Sequence, residues 1–535
     1  MKSNRSHHGR LYGAAILALA LGGAGLAGCH RGAQPGNQAD AQAGAQAGAQ
    51  AGLDCGKLTP SQASTLPAAP GGNQSQVDCS AWQAFIALNW QADPLHPGQP
   101  SNAAWSSFGT PGDMSPKVWE TYLEAANVFG GTAPLKGLWQ AKRPAVKQLT
   151  RTSKFGDIDL SDIAQAGSGD HWLTNQRGDV TYYEVMMNQD EFEFITQANF
   201  DLTTAAGQLA CASQPGKIIS DGPPPAKGPL RGGLNFPAGI QAGWDDTDCA
   251  GNIAAYGAGV GAMEIKAAWT PLPADHKLDY RYKTAQAEIQ DPVSKTRRTV
   301  TVGLVGLHIA RKRFPKLPWV WATFEQIDNS PDEASNGGFS PPVLPPNPNR
   351  KPAPGFTFFN PTCDPKKDPT YGCKHDLPPR VCGTSGMVCD PYDKPMQITR
   401  LNPVADPANQ VTAYVWGLLP AASVFNYYRL VGVQWPQAAL GTPPGPGLRI
   451  PLTMGDPMPK GGAGGIGQIL ANTTLESFQQ KNAACMDCHA NYASIAPLKL
   501  LQTKGLRKVL KANGGQGPAP YASDYSFVFL SETRR

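Results

Sequence analysis

The chain is poor in charge, and the poverty narrows its class. Charged residues make up only 16% of 535 positions, with a net charge of +5. No interleaving of basic and aromatic residues accompanies that mild excess, so there is no case for a nucleic-acid partner. The nucleophile elbow G-x-S-x-G, the phosphate-binding P-loop and the zinc motif H-E-x-x-H are all missing, which leaves the common hydrolase and nucleotide-driven classes without support. The apolar run from Leu11 to Gly28 is too short for a spanning helix. Finally, Ala490 to Arg535 contains neither methionine nor histidine.

What is abundant is glycine (59) and proline (50), which predicts a loop-rich globular protein. Lys2, Arg5 and Arg10 ahead of the short apolar run fit an export signal. The run ends in Leu26-Ala27-Gly28-Cys29, which resembles the lipobox of bacterial lipoproteins, and implies lipidation of Cys29 after cleavage at residue 28. His30 rather than an acidic residue after that cysteine points to the outer membrane. His30 to Gly52, with its AGAQ units, reads as a tether spanning roughly 26 Å as a flexible coil. The expected location is therefore the bacterial cell envelope, lipid-anchored and facing the periplasm.

Cysteine usage agrees with export. Cys485, Cys488 and His489 form C-x-x-C-H inside KNAACMDCHANYA, the attachment site of a covalent c-type haem, in which the thiols bond the vinyl groups and the histidine ligates the iron. With Cys29 set aside, Cys55, Cys79, Cys211, Cys249, Cys363, Cys373, Cys382 and Cys389 remain. An even remainder in an oxidising compartment predicts four disulfides, with neighbours in sequence paired. The rival is a zinc site built from the last four cysteines with His375.

The expected fold class is α+β, a mainly antiparallel sheet with packed helices, disulfide-stapled loops and a C-terminal haem c segment. Length allows two to four domains. A mixed unit over 54–250 contains a helix in "DCSAWQAFIALNW", capped by Asp78 or Ser80, with Trp82, Phe85, Ile86 and Trp90 on its core face. It continues with a helix in "KVWETYLEAANVF" and a strand in "VTYYEV". A sheet region over 251–330 holds strands at 262–269 and 299–310, rich in β-branched residues. A Pro, Gly and Cys-rich insertion over 331–395 precedes a C-terminal region over 396–535, in which "NQVTAYVWGLL" and "FNYYRLVGVQW" are regular. There Thr473 and Glu476 could form a capping box for the helix reaching the cysteines.

The glycine run Gly462 to Gly467 matches the dinucleotide fingerprint in form only, because no strand precedes it, and no nucleotide is expected. In "PLKLLQTKGLRKVLKANGG" a helix would carry Lys504, Arg507, Lys508 and Lys511 opposite Leu498, Leu506, Val509 and Leu510. Such a basic face could steer an acidic redox partner.

The open question is the second axial position on the iron. With nothing suitable downstream, the candidates are Met454, Met458 and His308, followed by Met263 and His171. Here "GAMEIKAAW" with Lys266 and Trp269, "RKRFPKLPWVWATF" with Phe314, Trp319 and Phe324, "CMDCH" and "DYSFVF" occur in an order that resembles the lysine-cross-linked haem c enzymes oxidising hydroxylamine and the cytochrome c′-β proteins. The whole chain also resembles the large single-haem "cytochrome c family" lipoproteins of bacteria. The first resemblance implies haem on an antiparallel sheet, a five-coordinate iron, and Lys266 as a cross-linking or haem-contacting residue. One-electron transfer by a membrane-anchored monohaem cytochrome is the leading expectation, with a redox protein as partner. The alternatives are a haem enzyme or sensor for nitric oxide, hydroxylamine or peroxide, and a binding protein with a structural haem.

Overall fold

The computed structural model describes residues 55, 62–67, 73–152, 172–212, 214, 234–315, 319–333, 338–351, 355–364, 366, 373–377, 381–382, 387–388, 395–436, 454–455, 469–481, 485, 489 and 523–530. The lipobox cysteine Cys29, the tether, the glycine run, the basic helix, His171, Met458, Cys488 and Cys389 lie outside these residues. No described helix is long and apolar enough to cross a membrane.

Helix α1 (Gln74–Leu88) starts earlier than Asp78 or Ser80, because Asn73 and Gln76 form a reciprocal capping box. Asp78 is instead buried within the helix, its Oδ1 accepting from Gln74 Nε2 at 2.8 Å. Trp82, Phe85 and Ile86 are wholly buried. The second expected helix breaks up into a 3₁₀ turn (Val118–Thr121), strand β1 (Leu123–Glu124) and α2 (Ala125–Phe129). The turn sends Glu120 inward, 3.2 Å from Lys147 Nζ and 3.0 Å from Lys283 Nζ. Although burial opposes ionisation, the two ammonium groups bring its pKa down to about 2. A continuous amphipathic helix could not deliver that carboxylate, so the charge cluster overrides local propensity.

The chain continues through β2 (Lys147–Leu149), β3 (Tyr182–Met187), α3 (Gln189–Ile195), α4 (Ala205–Ala212), β4 (Met263–Pro271), β5 (Thr284–Gln290), β6 (Arg297–Arg311) and β7 (Val320–Gln326). Among the described residues the insertion contributes two-residue strands, β8 (Asp332–Glu333) with β9 (Phe339–Ser340), and β10 (Val381–Cys382) with β11 (Met387–Val388). Then come α5 (Asp406–Leu418), β12 (Tyr428–Pro436) and β13 (Met454–Gly455).

Among the described residues nine strands join in one curled sheet, with β1-β3-β4-β6-β7-β12-β13 as its main path. Strand β6 is the spine. Its 15 residues pair with β4 along one edge, and with β5 then β7 along the other. All these pairs are antiparallel; β2 on β5 is the parallel exception. Irregularities beside Ala268 and between Leu430 and Gly432 bend the sheet. One face, including Ile265, Ala267, Leu307, Ile309, Ala322 and Phe324, is apolar. Helix α1 covers it, with Phe85 4.4 Å and Trp82 5.0 Å from the Phe324 ring, and Trp82 Nε1 donates to Thr412 of α5 at 3.2 Å. The fold is thus α+β, its sheet mainly antiparallel, as expected.

Disulfides join Cys55 to Cys79, Cys211 to Cys249 and Cys363 to Cys373. Neighbours do pair, and the third bond uses two of the thiols that a zinc site would need. Replacing Cys211 and Cys249 together by alanine opens a loop with a sequence separation of 38. Denaturant unfolding is expected to show a loss of about 4 kcal/mol.

Candidate functional site

The opposite face of the sheet is polar, and strand register determines who shares it. Lys266 on β4 lies opposite His308 on β6, which lies opposite Thr323 on β7. Alternation adds Glu264, Trp321, Glu325 and, through pairing with β12, Gln434. Lys266 and His308 are thereby neighbours despite their distance in sequence. Met263 belongs to the other face, where its sulfur meets the Tyr122 hydroxyl at 4.0 Å.

The C-terminal chain lies across this polar face. Asn472 Nδ2 donates to Thr323 Oγ1 at 3.0 Å and to the Phe324 carbonyl at 2.8 Å, while the Tyr183 hydroxyl donates to the Thr474 carbonyl at 3.0 Å. The approach is close at Gly306: a Cβ there would sit 2.2 Å from Thr474 Oγ1 and 3.0 Å from Asn472 Oδ1. The expected Thr473–Glu476 capping box is not what forms. Glu476 Oε2 accepts from Asn472 N at 3.0 Å, one residue earlier, and the segment makes turns rather than a helix. Thr473 is engaged elsewhere, its hydroxyl donating to Glu325 Oε2 at 2.9 Å.

Glu325 is almost fully buried and also bonds Arg429, Nη2 to Oε1 at 2.9 Å, and Arg400 through both carboxylate oxygens. Burial opposes its ionisation, yet Arg400 and Arg429 hold its pKa below the ordinary value.

Beyond this anchor come the motif residues. Cys485 and His489 both have helical backbone. Cys485 N–H donates to Gln434 Oε1 at 2.8 Å, fixing the motif to β12. His489 Nδ1 stands 2.5 Å from the carbonyl oxygen of Tyr525. A carbonyl only accepts, so the proton is on Nδ1 and the imidazole lone pair is on Nε2, the tautomer in which a metal-ligating histidine is held. The ring is packed by Phe527 at 4.6 Å and Trp321 at 5.6 Å. Lys266 Nζ stands 5.7 Å from the Phe527 ring centre. His308 Nε2 is 3.4 Å from Glu476 Oε2.

Two acids complete the neighbourhood. Glu264 bonds the Ser526 hydroxyl, and burial raises its pKa while Lys266 works against the rise. Glu191 on α3 is fully buried with neither carboxylate oxygen hydrogen-bonded; burial, then the nearby Glu264, raise its pKa well above the ordinary value. Both favour the protonated form.

Of the candidate residues, Cys485, His489, Lys266 and His308 meet on one covered face. Met454 is placed by its backbone alone, opposite Pro436 at the far end of β12. His375 packs its ring 5.3 Å from Phe359, and among the described residues no group of three or more His, Cys, Asp or Glu could hold a metal ion. Gln434, Trp321, Glu191 and the Tyr525 carbonyl were not legible as site groups; only the "DYSFVF" block hinted at the last. No family model matches the chain, and neither curated proteins nor solved structures give a significant match.

Glu325→Gln would leave two buried guanidinium groups short of a counter-charge and is expected to cost about 3–5 kcal/mol in urea unfolding. Because the folded-state pKa of Glu325 is lowered, its stabilisation is present above the ordinary carboxylate range and is lost as pH falls through the folded value. The variant should accordingly show a shallower loss of stability in acid than the parent. Gly306→Ala should lower stability by about 1–3 kcal/mol through overpacking and make the segment after Pro436 more susceptible to limited proteolysis.

Proposed function

We propose that the chain is a membrane-anchored, periplasm-facing monohaem c-type cytochrome that transfers electrons, with Cys485 and Cys488 as thioether attachments and His489 as the proximal ligand. The observation that carries this reading is the His489 Nδ1 bond to the Tyr525 carbonyl at 2.5 Å, because it orients the ring and presents Nε2 for ligation. Cys485, tied to Gln434, fits an attachment point at the edge of the same face. The haem supplies one-electron chemistry when bound. Trp321 and Phe527 wall the imidazole on two sides and limit water around it. His308 and Met454 are the described candidates for the second axial position, and Met458 is the third.

A second reading, a haem enzyme or sensor for a small molecule with an open iron position, is favoured by Lys266, Glu264 and Glu191. Lys266 places an ammonium group 5.7 Å from the Phe527 ring, and Glu264, bonded to Ser526, and Glu191 are buried acids nearby. Lys266 would then contact or cross-link the haem.

The test is to produce the chain with c-type maturation and record ferric and ferrous spectra before and after carbon monoxide. Covalent haem that is lost entirely in Cys485→Ser/Cys488→Ser supports attachment at these cysteines. A low-spin spectrum indifferent to carbon monoxide is the result expected of an electron carrier; a high-spin spectrum that shifts would transfer the reading to the second class. Absence of covalent haem from the matured parent would sink both. Cys29→Ala should release the protein from the membrane fraction.

A further inference from the structure

The carbonyl that receives His489 belongs to an unusual stretch of backbone. Asp524 and Tyr525 are consecutive residues at φ +52° and +69°, a region that side-chain-bearing residues seldom occupy and that persists only when the surroundings over-determine it. Aspartate reaches this region more readily than most residues, but a bulky Tyr525 directly after it does not, so something must hold the turn.

Asp524 is held at both oxygens. Lys312 Nζ, fully buried, lies 2.7 Å from Oδ1, and the Phe236 N–H donates to Oδ2 at 2.8 Å. Lys312 immediately follows the spine strand β6, and its own N–H donates to the Ala262 carbonyl at 2.9 Å, just ahead of β4. On the far side of the turn the Ser526 hydroxyl bonds Glu264 of β4, and Ser526 N–H donates to the Ser523 carbonyl at 3.1 Å. The peptide bearing the Tyr525 carbonyl is therefore fixed on both flanks to the two central strands.

We infer that the Lys312–Asp524 ion pair is a positioning device for the iron ligand, locking the left-handed turn so that the Tyr525 carbonyl stays aimed at His489 Nδ1. This rests on the haem reading above. A short bond to Nδ1 makes the imidazole a stronger donor through Nε2 and favours the oxidised metal. Loosening the turn lengthens that bond and shifts the balance toward the reduced form.

The experiment compares haem-loaded parent with Asp524→Ala, with Lys312→Met/Asp524→Ala, which removes both charges and leaves no unpaired one, and with the conservative Lys312→Arg. Covalent haem is quantified in every sample. The first two variants are expected to raise the midpoint potential by about 59 mV, a tenfold change in the one-electron equilibrium. They should also speed deuterium exchange of the His489 Nδ1 proton by about tenfold, whereas Lys312→Arg should keep both close to the parental values. Variants that carry full haem and unfold more easily, yet keep the parental potential and exchange rate, would reduce the pair to a stability role and overturn the inference. A parent without covalent haem would overturn the haem reading along with it.

Discussion

The carboxylate of Glu325 is the interaction on which the polar face of the sheet depends. It stands on β7, takes Arg429 from the neighbouring strand, Arg400 from the chain after the insertion, and the Thr473 hydroxyl from the C-terminal segment. Three stretches of chain far apart in sequence are thereby fixed to one pair of oxygens. Apolar packing tolerates sliding, whereas a buried charge short of a partner costs several kcal/mol. The arrangement consequently defines where the C-terminal segment may lie.

That placement explains the contrast between the two faces. One meets α1 through ring-on-ring contacts and α5 through Trp416, whose Nε1 donates to the Tyr428 carbonyl at 2.9 Å. The other carries Glu264, Lys266, His308, Thr323, Glu325 and Gln434, groups that would be expensive to bury without partners. The C-terminal chain supplies partners for most of them: Ser526, Asn472, Thr473 and the Cys485 amide. Glu191 stands on α3 rather than on the sheet, and its unbonded carboxylate is the feature of the site least explained by fold stability.

How much of this could be read from residues alone varies by element. Strands β4 and β6 match the expected 262–269 and 299–310 closely because β-branched, buried runs carry their own signature. The core role of Trp82, Phe85 and Ile86 was equally plain. Strand β7 has no comparable signature, since its "VWATFEQ" follows a proline-rich, basic stretch. The helix expected over 117–129 failed for a tertiary reason, the inward pairing of Glu120. In the site, C-x-x-C-H was unmistakable, and Lys266 and His308 were each singled out, but their apposition required the register of β4 on β6. The Tyr525 carbonyl had no signature, because every residue has a backbone acceptor and only the conformation selects one.

Strand order has a consequence for assembly. The surface that receives Cys485 and His489 is built from β4, β6, β7 and β12, all complete by Pro436. As the chain is delivered from its N-terminus, that platform can form before the motif arrives, and domains commonly begin folding in that order. Contacts such as Cys485 with Gln434 and Tyr525 with His489 then close late on a finished template, whereas Lys312 with Asp524 closes a long loop and is intrinsically slow. A segment that docks last remains exposed to solvent and to other proteins longest.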